Sequence, residues 1–111
     1  MNYMMRSAKE SLKGHACRKN SLECMKRLMD GGDTSLAERL KSTKAQVDAV
    51  EYAMSSLTEE SRDILREFYV AHDDESIDRL CRKYCCSVST IYRMCRDALR
   101  KFTMTMYGKA E

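Results

Sequence analysis

The sequence predicts an all-α protein: an N-terminal helical hairpin over residues 1–56 and a C-terminal three-helix domain over residues 57–111. Three observations lead there. The 111 residues include no proline and four glycines, so helices meet few breakers. Apolar residues recur at three-, four- and seven-residue steps, the spacing of a helix with one buried face. Near the C-terminus two such patterns are separated only by Cys85 to Val88, which leaves room for a tight turn between two short helices. Nine methionines and six tyrosines against two phenylalanines and no tryptophan point to an aliphatic, Met-rich core.

The first segment, from about Tyr3 to Asp30, places Ala8, Leu12, Cys17, Leu22, Met25, Leu28 and Met29 on its apolar positions. Its pattern weakens through Lys13 to Ala16, so an interruption is expected near Gly14. Gly31, Gly32 and Asp33 then end it, and Asp33 or Thr34 opens the next element. Ser35 with Glu38 three residues on is a capping-box signature, and Leu36, Leu40, Val47, Val50, Met54 and Leu57 form a stripe over an amphipathic helix from about Ser35 to Ser56. Such a hairpin buries little alone. Its stripe must pack on the C-terminal domain, on a second copy or on another protein.

Thr58 is the expected N-cap of the third helix, with Glu59 and Glu60 at the positive end of its dipole. Ile64, Leu65, Phe68 and Tyr69 make its apolar face. A polar break over 71–75 leads into a helix carrying Ile77, Leu80, Cys81 and Tyr84, and the last helix carries Ile91, Cys95, Ala98, Leu99 and Phe102, fraying from about Met104.

The net charge is only +3, but it is unevenly placed. Residues 57–78 hold two basic and eight acidic side chains, net −6, whereas residues 79–109 hold eight basic and one acidic, net +7. A basic third beside an acidic stretch suggests one surface turned towards a polyanion. No apolar run is long enough for a membrane span or a signal-peptide core, so a cytoplasmic protein with reduced thiols is expected. The six cysteines include no CxxC pair, and no metal site or cofactor is expected. Cys81, Cys86 and Cys95 read as small core residues, and His15 and His72 as surface residues. There is no glycine-rich phosphate loop, HExxH or GxSxG, so no catalytic residues are assigned and an enzyme is not expected.

From Leu57 the pattern resembles a known family. LTEESRDILREFYV (57–70) is similar to the first helix of region four in bacterial sigma factors, and SIDRLCRKYCCSVSTIYRMCRDALRKF (76–102) resembles the helix-turn-helix that follows it. Leu80 and Cys81 match the apolar-small pair of the supporting helix. Tyr84, Cys85, Cys86 and Ser87 match the turn, and Thr90, Ile91, Ala98, Arg100 and Lys101 match the recognition helix. Cys85 departs from the pattern, because the family favours glycine at that point of the turn, where positive φ costs other residues about 1 kcal/mol. No segment like sigma region two is present, so a complete sigma factor is not expected. A helical N-terminal half before such a domain resembles the small ArpU- and RinA-type transcriptional regulators of phages and prophages.

The implied function is sequence-specific binding of double-stranded DNA in transcription regulation, with the recognition helix over about 88–102. Ser87 is its natural N-cap. With Ile91, Cys95, Ala98 and Phe102 inward, Val88, Ser89, Tyr92, Arg93 and Arg96 face outward near the helix start and are the expected base contacts. Arg82, Lys83, Ser87, Thr90, Arg100 and Lys101 are the expected phosphate contacts. The expected assembly is a homodimer on paired half-sites, and the resemblance adds RNA polymerase as a second partner. Two other readings stand beside this one. The domain can be a non-catalytic interaction module that binds polymerase or another regulator through its acidic face from Glu59 to Asp78, or vicinal Cys85 and Cys86 can form a redox switch.

Overall fold

The structure, a computed structural model, describes residues 3–32 and 34–108, and all regular structure among them is helical. Helix α1 (Tyr3–Lys13) and α2 (His15–Asp30) meet at Gly14. Helices α3 (Ala37–Ser55) and α4 (Glu59–Leu65) follow, and α4 runs on as a π-helical segment (Arg66–Val70). Helices α5 (Ser76–Tyr84) and α6 (Val88–Tyr107) complete the chain.

The break near Gly14 is where expected, and it is confined to that one residue. Backbone hydrogen bonding continues through it, from the Gly14 amide to the Glu10 carbonyl and from the Arg18 amide to the Gly14 carbonyl, both 3.0 Å. Beyond it the two helices part company: α1 packs on α6 and the π-helical segment, α2 chiefly on α3. Helix α2 turns Leu22 and Met25 inward, but Cys17 and Leu28, expected on its apolar face, are exposed. Asp33, an expected helix opener, lies outside the described residues. Helix α3 starts at Ala37 rather than Ser35, leaving Leu36, which has no side-chain oxygen, at the N-cap position. The expected Ser35 cap therefore falls one residue short of the helix boundary.

Helix α6 is the axis of the core. Its Ile91, Cys95, Ala98, Leu99 and Phe102 are buried in one apolar cluster with Ile64 and Leu65 of α4 and Leu80 of α5. Ala8 and Leu12 of α1, Val50 and Ala53 of α3, and Leu57 join the same cluster. The C-terminal half of the α3 stripe, Val50, Met54 and Leu57, thus packs intramolecularly, and the core draws on residues from both sides of position 56. The connection there is pinned. Arg62 donates to the Leu57 carbonyl at 3.2 Å, and the Ser56 and Thr105 hydroxyls meet at 3.2 Å.

That contact helps extend α6 past Met104, where fraying was expected. The helix continues to Tyr107, with Thr103 buried and donating to the Leu99 carbonyl at 2.7 Å. Leu22, Met25 and Val47 form buried positions outside the main cluster, so the α2–α3 pair extends away from it. The radius of gyration of 16.0 Å accordingly exceeds the ~13 Å of a compact chain of this size.

His15 corrects the sequence reading. It was expected at the surface, but its side chain is only 13% exposed, with Nε2 3.6 Å from Glu51 Oε1. Its Nδ1 is buried without a hydrogen-bond partner among the described residues. Burial pulls the imidazole pKa below its ordinary value, against the opposing pull of Glu51. His72 is exposed, as expected. No helix among the described residues is long and apolar enough to cross a membrane.

Candidate functional site

The site begins at the turn between α5 and α6. Cys85 adopts the left-handed conformation, φ 53° and ψ 44°, and is the one non-glycine residue with positive φ among the described residues. The turn therefore keeps the backbone that favours glycine, although a cysteine occupies it. Two amides offset the strain: those of Cys85 and Cys86 both donate to the Cys81 carbonyl, the latter at 3.1 Å. This is the geometry of a helix C-cap of the Schellman type, and half-buried Cys81 and Cys86 both pack against the core beneath it. Cys95 is buried, so these three thiols serve as small packing residues. Cys85 itself is exposed.

Ser87 then returns to extended backbone and caps α6. Its Oγ accepts from the Thr90 amide at 3.3 Å and lies 3.0 Å from the Thr90 hydroxyl and 3.2 Å from that of Ser89. Three hydroxyls thus gather at the positive end of a 20-residue helix. Because Ile91, Cys95, Ala98 and Leu99 are held in the core, the opposite face is fixed outward. Val88 is 48% and Tyr92 49% exposed, and Ser89, Arg93, Arg96, Arg100 and Lys101 are exposed. The Tyr92 ring stands edge-on to Phe68 at 5.5 Å, which steadies it on one side. Thr90 is half-buried, its hydroxyl turned to Ser87.

The charges divide into two groups. Lys83 is engaged by Asp63 at 2.6 Å, and the same carboxylate oxygen accepts from the Tyr84 hydroxyl at 2.7 Å. Burial alone would raise the Asp63 pKa, but the hydrogen bonds from Lys83 and Tyr84 outweigh it and hold the carboxyl below its ordinary value. The same bond raises the Lys83 pKa. Arg79 joins Glu67 at 2.9 Å and Asp73 at 2.8 Å. These contacts dock α5 on α4 and the π-helical segment. They also remove Lys83 from the set of free cations in which the sequence placed it. Arg82, Arg93, Arg96, Arg100 and Lys101 have no acidic partner within 4 Å among the described residues.

The predicted base-contact residues thus lie together on one open face, with Arg100 and Lys101 further along the same helix. Arg82 lies on α5 before the turn, exposed, with Nε 3.4 Å from its own helix's Asp78 carbonyl. Sequence reasoning missed the neighbours of this face. Phe68 of the π-helical segment packs on Tyr92, and Lys9 of α1 lines the same groove over the Tyr69 ring; no local signal places either beside α6, because their position follows from long-range packing. Among the described residues, no group of three or more His, Cys, Asp or Glu side chains is arranged to hold a metal ion. Compared with protein-family models, curated proteins and solved structures, the chain matches none.

Proposed function

We propose that this chain is a transcriptional regulator that binds double-stranded DNA sequence-specifically. In this reading α5 and α6 are the supporting and recognition helices of a helix-turn-helix that resembles sigma region four, and the α2–α3 pair is a helical hairpin arm. The observation that carries the proposal is the outer face of α6: exposed Arg93, Arg96, Arg100 and Lys101, with no acidic partner among the described residues, on the helix that directly follows a tight left-handed turn. Such a helix start can enter the major groove, where Arg93 and Arg96 would donate in pairs to guanine O6 and N7. Ser89 and Tyr92 would reach base or sugar edges, and Val88 would touch a thymine methyl. Arg82, Ser87, Thr90, Arg100 and Lys101 would meet phosphates, with Lys83 a weaker contributor because it is held by Asp63. A homodimer on paired half-sites and contact with RNA polymerase remain parts of the proposal.

The rival reading places the work on the acidic side. Three of those eight acids, Asp63, Glu67 and Asp73, are already engaged with Lys83 and Arg79, which favours the DNA reading. Fluorescence anisotropy on a labelled random duplex separates the two. The DNA reading predicts binding that weakens steeply with salt, and Lys101→Ala should lower the salt slope by about 1. No binding at low salt, together with retention of purified RNA polymerase, would place the function on the acidic face instead.

A further inference from the structure

Along one side of the outer face of α6, sharing its Tyr92, Arg96 and Arg100, lies an open groove of about 820 Å³ formed by α1, the π-helical segment, α5 and α6. Its volume falls within the range of small-molecule sites, about 300–1,000 Å³. The floor is apolar and aromatic: Phe68, Tyr69, Ile77 and Leu99, with Tyr92 standing edge-on to Phe68 as a wall. Lys9, His72, Arg96 and Arg100 also line it, and no carboxylate does. Lys9 sits over the Tyr69 ring with Nζ 5.7 Å from its centroid. Arg96 and Arg100 are one helical turn apart, and neither has an ion-pair partner among the described residues. The site is thus an aromatic surface rimmed by positive charge on two sides. We propose that this groove binds a small organic anion with a flat apolar body, of the aromatic carboxylate class.

The chemistry of the two surfaces supports that choice. The floor desolvates a ring, which favours an apolar body. The rim offers a lysine and two guanidiniums, and a guanidinium can meet a carboxylate with two parallel hydrogen bonds. A DNA backbone would use the rim but leave the aromatic floor unfilled. The π-helical segment sets Phe68 and Tyr69 into this floor, and such segments are frequent at functional sites. The proposal goes beyond DNA binding and does not depend on it.

Naphthoate serves as the probe, with naphthalenemethanol as its neutral counterpart, each titrated into the full chain and followed by amide-correlation NMR. The expected shifts centre on Lys9, Phe68, Tyr69, Tyr92, Arg96 and Arg100, and the acid binds about five-fold or more tighter than the alcohol. Lys9→Gln and Arg100→Gln should each weaken the acid by about five-fold, whereas Lys13→Gln, on α1 but outside the groove, should change it less than two-fold. Dispersion of each variant's spectrum reports folding in the same experiment. Shifts scattered over the surface, equal affinity for acid and alcohol, equal affinity of all three variants, or no binding at millimolar acid would each overturn the proposal.

Discussion

Cys85 holds a backbone conformation that costs a residue bearing a β-carbon about 1–2 kcal/mol. Glycine removes that strain but adds freedom to the unfolded chain, so the two effects partly cancel. Cys85→Gly should therefore raise unfolding stability by up to about 1 kcal/mol, and Cys85→Val should lower it, both read from denaturant midpoints. The sequence made this strain legible only through the resemblance to the sigma region-four turn, which favours glycine where Cys85 stands. His15 was not legible, because only the packing of α2 against α3 buries it. Its lowered pKa has a defined sign. The folded state resists protonation, so its contribution is intact above the ordinary value of 6.5 and is lost as pH falls below it. His15→Gln should flatten the decline in thermal stability between neutral and mildly acidic pH, and an unchanged decline would count against this account.

Capping is the clearest link between sequence and structure at the scale of single helices. Thr58 and Ser87 were readable as N-caps because each is a hydroxyl residue just before an apolar pattern resumes. Both accept the expected amide bond, from Ser61 at 3.2 Å and from Thr90 at 3.3 Å. Ser87→Ala should cost about 1 kcal/mol in stability and loosen the start of α6, which would also weaken any contact made there. The π-helical segment was invisible, since its residues fit an ordinary helical stripe equally well. It appears in the Ala71 amide bonding to the Arg66 carbonyl five residues back, at 2.8 Å. The docking of α5 was also hidden. The contrast in net charge between neighbouring segments is plain in the sequence, but part of it is consumed by Asp63 with Lys83 and by Arg79 with Glu67 and Asp73.

At the scale of the whole molecule, the all-α class followed from periodicity and the lack of proline. The position of α1 did not. Ala8 and Leu12 present a short apolar face that suits many partners, and only the folded core selects α6 and the π-helical segment. Leu12 is completely buried, so Leu12→Ala should cost about 2–5 kcal/mol by thermal or denaturant unfolding. A fragment of residues 57–111 loses Ala8, Leu12, Val50 and Ala53 from the shared cluster and should unfold with less cooperativity than the full chain. The central claim concerns the outer face of α6, and selection of bound duplexes from a random DNA pool tests it most directly. The account predicts enrichment of one sequence motif by the full chain. It also predicts that Arg93→Ala with Arg96→Ala loses the enrichment while remaining folded and retaining salt-sensitive binding to random duplex. The same motif enriched equally by the double variant, or no motif enriched by the full chain, would contradict it.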